Sequence, residues 1–340
     1  LRLSRGLGDV YKRQLLDILA KQHQEQLTAA TIKNWFYEIE WQPLTQTNSN
    51  TNIKPTHWLI LADTTGVAEK LAQKLQQQGH EYSLVARGEN YQKSTANTYQ
   101  LNPHIPQEFE QLYQEIQQNA QTPITKLIHL WSIDAPLSKD LTVETLESSQ
   151  IWGCGSVVHL LQTLIKNSSI PELWLITRGS QSVLSNTENH ITGLAASPMW
   201  GLGRVVSLEH PQLWGGLIDL DPQAPATDET EMLWQLLANQ QEEDHLALRG
   251  EKTYVARLVN KDTPEFSQGL SLSSDGSYLI TGGLGALGLH TAQWLVEKGA
   301  KNIVLTGRRP PTEKVSESIK QLEETGCQVR VLLGDVSVEA

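Results

Sequence analysis

Cysteine is almost missing from this chain. Cys154 and Cys327 are the only two in 340 residues; they lie far apart and lack C-x-x-C spacing, so neither a disulfide framework nor a cysteine zinc site is indicated. Such sparse use fits the reducing cytoplasm. Long apolar runs are missing too: nothing approaches the roughly 18 uninterrupted apolar residues of a membrane-spanning helix. Positive charge is in deficit, with 27 basic against 38 acidic side chains and a formal net charge of −11. Long-range repulsion therefore disfavours nucleic acid and anionic membrane surfaces as main partners, without excluding one bound phosphate ligand. There is no H-E-x-x-H, no pair among the ten histidines at helical metal spacing, and no Lys after the glycine-rich loop of the kind a Walker A motif requires.

What is present is the composition of a globular protein: 39% apolar residues besides 24 glycines, enough for two domains at roughly 150 residues each. The first fourteen residues, LRLSRGLGDVYKRQ, form a basic patch on an acidic chain. They read as translated adaptor sequence rather than as a signal peptide, with a genuine basic arm as the alternative, and 15–30 as a linker helix.

From there short apolar, β-branched runs alternate with helical patterns, the signature of a parallel sheet with crossover helices. The spacing predicts strands at 58–61, 83–86, 127–131, 173–177, 216–219 and 246–248. Helices are predicted within 67–78, 107–119, 143–166, 194–206 and 230–239. A polar linker, 261–274, leads to a second start with strands 278–281, 302–306 and 328–333 and helices 286–298 and 313–325. The fold class is thus α/β, two Rossmann-like doubly wound parallel-sheet units, the second incomplete, with units at 31–260 and 275–340.

Sliding the chain on itself by 220 positions places Leu59 on Leu279, Ile60 on Ile280, Ala72 on Ala292, Leu75 on Leu295 and Gly79 on Gly299 without a gap. A duplication and the shared grammar of strand–turn–helix–strand units both account for this match. The turns differ. In the second unit TGGLGALG, Thr281 to Gly288, follows a strand and opens a helix, with Gly283, Gly285 and Gly288 as G-x-G-x-x-G. That context points to dinucleotide binding: Gly283 for the tight turn, Gly285 for approach of the pyrophosphate to the backbone, and Gly288 for close helix packing beside Ala292, Leu295 and Val296, with phosphates on the helix N-terminus. Thr281, Gly282, Leu284 and Leu287 complete the loop. In the first unit the three glycine positions hold Asp63, Thr65 and Ala68, which predicts no dinucleotide there.

An NAD site would place an acidic residue about 20 residues beyond the glycines, on the ribose 2′-hydroxyl. Here the second strand ends LTGRR, with Arg308 and Arg309; a planar, permanently charged guanidinium suits a 2′-phosphate, so NADPH is favoured. Asp335 and Val336, after the third strand, sit where such folds meet the adenine. Elsewhere, Cys154 and Ser156 in WGCGS read as packing, Glu242 to Asp244 as a solvated turn, and the ten tryptophans mainly as core.

With these residues assembled, the chain resembles the ketoreductase domain of modular polyketide synthases, within the short-chain dehydrogenase/reductase superfamily. The resemblance covers about 31–340 and is carried by FYEIEW at 36–41, GLGRVVSLEHPQLWGGLIDLD at 201–221, LALRGEKTYVARL at 246–258 and YLITGGLGALG at 278–288. It implies a pseudo-Rossmann structural subdomain without cofactor, joined to a subdomain that binds NADPH and reduces a β-keto thioester carried on an acyl carrier protein. Such reductases use Tyr with Lys four residues later, and a Ser. None of the eight tyrosines here has Lys at that spacing, and the chain ends 57 residues after Gly283. The expectation is a ketoreductase truncated before its catalytic residues, inactive as this chain and holding cofactor weakly. Alternatives are a non-catalytic scaffold module of a synthase, separated by whether a Tyr-x-x-x-Lys follows in the gene, and a nucleotide-sugar epimerase, which the long N-terminal domain disfavours.

Overall fold

The computed structural model describes residues 35–44, 54–184, 191–223, 226–239, 243–261 and 272–335. The expected adaptor and linker helix, most of the 261–274 linker, Glu242 and Val336 lie outside them. Two compact units divide the chain between Lys261 and Asp262.

In unit 1 the elements run β1 (Tyr37–Pro43), β2 (His57–Leu61), α1 (Val67–Gln77), β3 (Glu81–Arg87), β4 (Gln92–Lys93), β5 (Thr98–Leu101), α2 (Pro106–Asn119), β6 (Ile124–His129), α3 (Val143–Gln150), α4 (Ser156–Lys166), β7 (Glu172–Arg178), α5 (Pro198–Glu209), β8 (Trp214–Leu220), α6 (Ala226–Ala238), β9 (His245–Arg249) and β10 (Lys252–Asn260). They build one ten-stranded sheet of order β1-β10-β9-β8-β7-β6-β2-β3-β5-β4. Its interior from β9 to β5 is parallel, and the order reverses between β2 and β6, the switch point of a doubly wound sheet.

Alternation along β2 explains the layers. All five residues of HWLIL are buried, because a strand in the middle of a parallel sheet is covered on both faces. Leu59 and Leu61 pack with Phe109 and Leu112 of α2 and Val157 and Leu160 of α4. Trp58 and Ile60 face Val67, Leu71 and Leu75 of α1 and Leu233 and Leu237 of α6.

Three departures from the predicted elements have physical reasons. Strands β1 and β10 pair antiparallel, Tyr37 with Asn260 through Pro43 with Tyr254, a match across more than two hundred residues that no local window can register. The stretch 143–166 is helical as expected but not uniformly α: between α3 and α4 it widens into a π-turn, Ile151–Gly155, while the backbone stays right-handed throughout. There Ser156 Oγ donates toward the Trp152 and Gly153 carbonyls and meets His129 Nε2 at 2.7 Å. The helix expected at 194–206 begins only at Pro198, whose fixed φ suits a first helical turn, after a 3₁₀ turn at Leu194–Ala196. The acidic run is also more than a solvated turn: Glu243 pairs with Arg257, and Asp244 accepts from Trp214 Nε1 at 2.7 Å and contacts His245.

Unit 2 consists of β11 (Ser277–Ile280), α7 (Ala286–Glu297), β12 (Asn302–Gly307), α8 (Glu313–Glu324) and β13 (Gln328–Leu333). Its sheet is parallel, in the order β11-β12-β13. Ala292, Ile303, Leu305, Ile319 and Leu322 form its core. Leu279 on β11 is 63% exposed. No helix among the described residues is long and apolar enough to cross a membrane.

Candidate functional site

The glycine-rich turn of unit 2 connects β11 to α7. Gly282 adopts φ +65°, the left-handed region that a side chain rarely tolerates. The tight turn therefore falls on Gly282 rather than on Gly283, as the motif had suggested. Gly283 is instead a point of close approach: a Cβ there would lie 2.8 Å from both the Ile280 carbonyl oxygen and Leu305 Cδ2. Gly288 lies directly on the turn, since its Cβ would come within 2.5 Å of Gly283 Cα. Its small size thus serves packing of α7 against the turn itself.

Gly285 caps α7 in an extended conformation with no side-chain hydrogen bond, and the first turn carries no acidic residue. Among the described residues the positive end of this helix has no capping side-chain hydrogen bond. It opens on a cleft of about 620 Å³ lined by Gly282, Leu284, Gly285, Gly307, Arg308 and Arg309, with the Pro310–Thr312 segment and Val315 forming a further wall. The structure therefore brings the glycine turn and both arginines to one cavity, with Gly283 and Gly288 buried beneath it. Thr281, Leu287 and Asp335 are exposed and do not line this cleft. Sequence reasoning missed Gly307 and the Pro310–Thr312 wall. The signal was present in Thr312, which caps α8 by accepting from Val315 N at 3.4 Å, directly after two prolines.

An anion spread over a diphosphate fits this cradle. Backbone N–H groups at an uncapped helix end bind phosphate oxygens, and an exposed guanidinium supplies two parallel donors. No group of acidic, histidine and cysteine side chains among the described residues could hold a metal ion.

The corresponding turn of unit 1 is filled from within. Asp63, 3% exposed, occupies the place of Gly283 and turns its carboxylate onto the start of α1. It accepts from Thr65 N at 3.0 Å, Val67 N at 3.1 Å and Ala68 N at 2.8 Å, and from the Thr65 hydroxyl. Across the switch point, Asp134 accepts from Thr64 N at 2.9 Å and from its hydroxyl, and pairs with Arg87. Burial pushes the Asp134 carboxyl up, against the opposing pull of Thr64 and Arg87. Arg87 in turn lies 4.2 Å over the Trp152 ring. Together these groups bridge the ends of β2, β3 and β6.

Known proteins are similar to this chain. A family model described as KR domain matches residues 276–340. One described as beta-ketoacyl synthase-like, N-terminal, matches 57–235, more than half of the chain. Polyketide synthase GfsB of Streptomyces halstedii is 28% identical over 97% of this chain, which spans 6% of that protein. A 6-methylsalicylic acid synthase of Arthrobotrys oligospora is 33% identical over 59% of this chain, which spans 12% of it. A solved A1-type ketoreductase is similar with a TM-score of 0.65 and 25% identity, covering 89% of this chain and 59% of that structure. The turn, the cleft and these likenesses converge: the chain belongs to the ketoreductase domain family of polyketide synthases.

Proposed function

We propose that, in the whole protein, this region reduces a β-keto thioester carried on the phosphopantetheine of an acyl carrier protein to the β-hydroxy thioester, using NADPH, beside other synthase domains of the same polypeptide. The observation that carries the reading is the uncapped N-terminus of α7 opening on the cleft that Arg308 and Arg309 line. In that reaction NADPH supplies a hydride to the carbonyl carbon, and an acid protonates the oxygen.

Each group of residues has a role in this reading. The first turn of α7 with Gly282 and Gly285 receives the diphosphate. Arg308 and Arg309 receive the ribose 2′-phosphate, and Asp335 and Val336 are assigned to the adenine from their place in the sequence after the third strand. Unit 1, whose crevice its own Asp63 and Asp134 occupy, binds no dinucleotide and serves as a structural partner. No Tyr-x-x-x-Lys occurs in the sequence, and a positioned general acid typically contributes about 10²–10⁴ in rate. The 340-residue chain is therefore expected to bind nucleotide weakly without turning substrate over.

Calorimetric titration with adenosine 2′,5′-bisphosphate and with AMP tests the cofactor. The expected result is a preference of at least about tenfold for the bisphosphate; equal affinities would overturn the NADPH reading. Oxidation of NADPH with a β-keto thioester surrogate tests the chemistry, and measurable turnover by this chain would mean that a proton donor lies elsewhere in it.

A further inference from the structure

The end of β12 and the glycine turn share one volume. A Cβ on Gly307 would lie 2.8 Å from Cδ1 and 3.3 Å from Cγ of Leu284. Leu284 is half-buried, packs on the core of unit 2, and lines the cleft beside Gly285 and Arg308. Because the contact is made by the end of a Leu side chain, a larger residue at 307 is not refused outright. It would drive Leu284 off the core, and the open side of Leu284 is the cleft.

Unit 1 supports the coupling independently. At the offset of 220, Leu284 corresponds to Thr64 and Gly307 to Arg87. Sizes are exchanged: large with none in unit 2, small with large in unit 1. In unit 1 both residues reach the same partner, Thr64 and Arg87 each donating to Asp134. Two positions that trade bulk while remaining neighbours behave as one packing site.

We propose that Leu284 is a specificity-determining residue for the nucleotide, acting by occupying the space over Gly307. A carboxylate at that strand end would accept hydrogen bonds from a ribose 2′-hydroxyl and repel a 2′-phosphate. With the space over Gly307 filled by Leu284, no carboxylate stands there, and the Arg308 and Arg309 guanidiniums address the ribose. This inference rests on the nucleotide reading given above.

The test is an NMR titration of the 340-residue chain with adenosine 2′,5′-bisphosphate and with AMP, in the wild type, Gly307→Asp, and Gly307→Asp combined with Leu284→Ala. Gly307→Asp alone should weaken both nucleotides, AMP by about tenfold, because displaced Leu284 obstructs the cleft. Adding Leu284→Ala should recover AMP binding and reverse the preference toward AMP. If Gly307→Asp alone binds AMP as tightly as the double variant, Leu284 has no part in specificity and the proposal fails. Should Gly307→Asp not fold, Gly307→Ala provides the same contact without charge. It should weaken both nucleotides by about threefold and be rescued by Leu284→Ala; unchanged binding in Gly307→Ala would equally overturn the proposal. Equal affinity of the wild type for the two nucleotides would instead fail the NADPH reading, while rescue by Leu284→Ala still reports on the packing site.

Discussion

The two strand–turn–helix starts of this chain solve one electrostatic problem in opposite ways. Each helix begins with N–H groups that have no helical partner and with the positive end of a dipole. At α1 the protein supplies its own anion, the buried Asp63 carboxylate with its three backbone donors. At α7 no side chain caps the end, and the turn is pared to glycine where Asp63, Thr65 and Ala68 stand in unit 1. A helix N-terminus is therefore not by itself a ligand site. In the function proposed for α7 it becomes one because the sequence withholds the internal acceptor and removes the Cβ atoms that would fill the cradle.

The largest expected effect comes from returning bulk to the second turn. Gly288→Leu would push a side chain into the backbone of Gly283, where even a Cβ comes to 2.5 Å. Overpacking of this kind costs about 1–3 kcal/mol and more when backbone must move. Hydrogen exchange should show unit 2 opening while unit 1 stays protected; unchanged protection in unit 2 would mean that the turn does not support α7.

Removing the internal anion should come next. Asp63→Ala leaves buried N–H groups of Val67 and Ala68 without an acceptor, a loss of about 3 kcal/mol in unit 1. Inorganic phosphate should recover part of that stability in the variant, and sodium chloride at matched ionic strength should not. Equal stabilisation of wild type and variant by phosphate would contradict the role given to Asp63.

Acid should also separate the units. Burial lowers the pKa of His57, His80 and His129, all in unit 1, the last to about 3. The unfolded chain takes up a proton near the ordinary value of 6.5 that folded His129 refuses. The stability of unit 1 is therefore present above about pH 6.5 and falls as pH drops from there toward about 3, by about 1.4 kcal/mol per pH unit from His129. Urea titrations at pH 7 and pH 5 check this, and His129→Gln should flatten the slope. An equal slope in the variant would assign the acid sensitivity to other groups.

Much of this comparison was legible in the sequence. The offset of 220 matches β2 with β11, α1 with α7 and β3 with β12, because apolar periodicity and the helix-ending Gly79 and Gly299 are local signals. It fails after the second strand, where unit 1 makes the short pair β4 and β5 and unit 2 makes α8. Four residues of β5 are too few to show a period. The glycine motif located the turn but put its left-handed residue one position late, since Gly282 and Gly283 are alike in sequence and differ only in what surrounds them. Asp63 could be read as unfavourable to a phosphate. Its capping of α1, and the bridge from Thr64 to Asp134 seventy residues on, depend on tertiary placement at the switch point. Leu284 was part of the motif, but its contact with Gly307 depends on β11 and β12 lying side by side.

The smallest predicted effect concerns the arginines. Arg308→Ala should weaken adenosine 2′,5′-bisphosphate by about 1.5 kcal/mol, one charge-assisted hydrogen bond, and leave AMP nearly unchanged. Equal weakening of both nucleotides would place Arg308 on the diphosphate instead.

The most direct measurement of the central claim is amide hydrogen exchange across the whole chain, with and without saturating adenosine 2′,5′-bisphosphate. The account predicts added protection at Gly285–Gly288 and at Arg308 and Arg309, with none at 63–68. Added protection at Thr65–Ala68, or none at Gly285–Gly288, would contradict it.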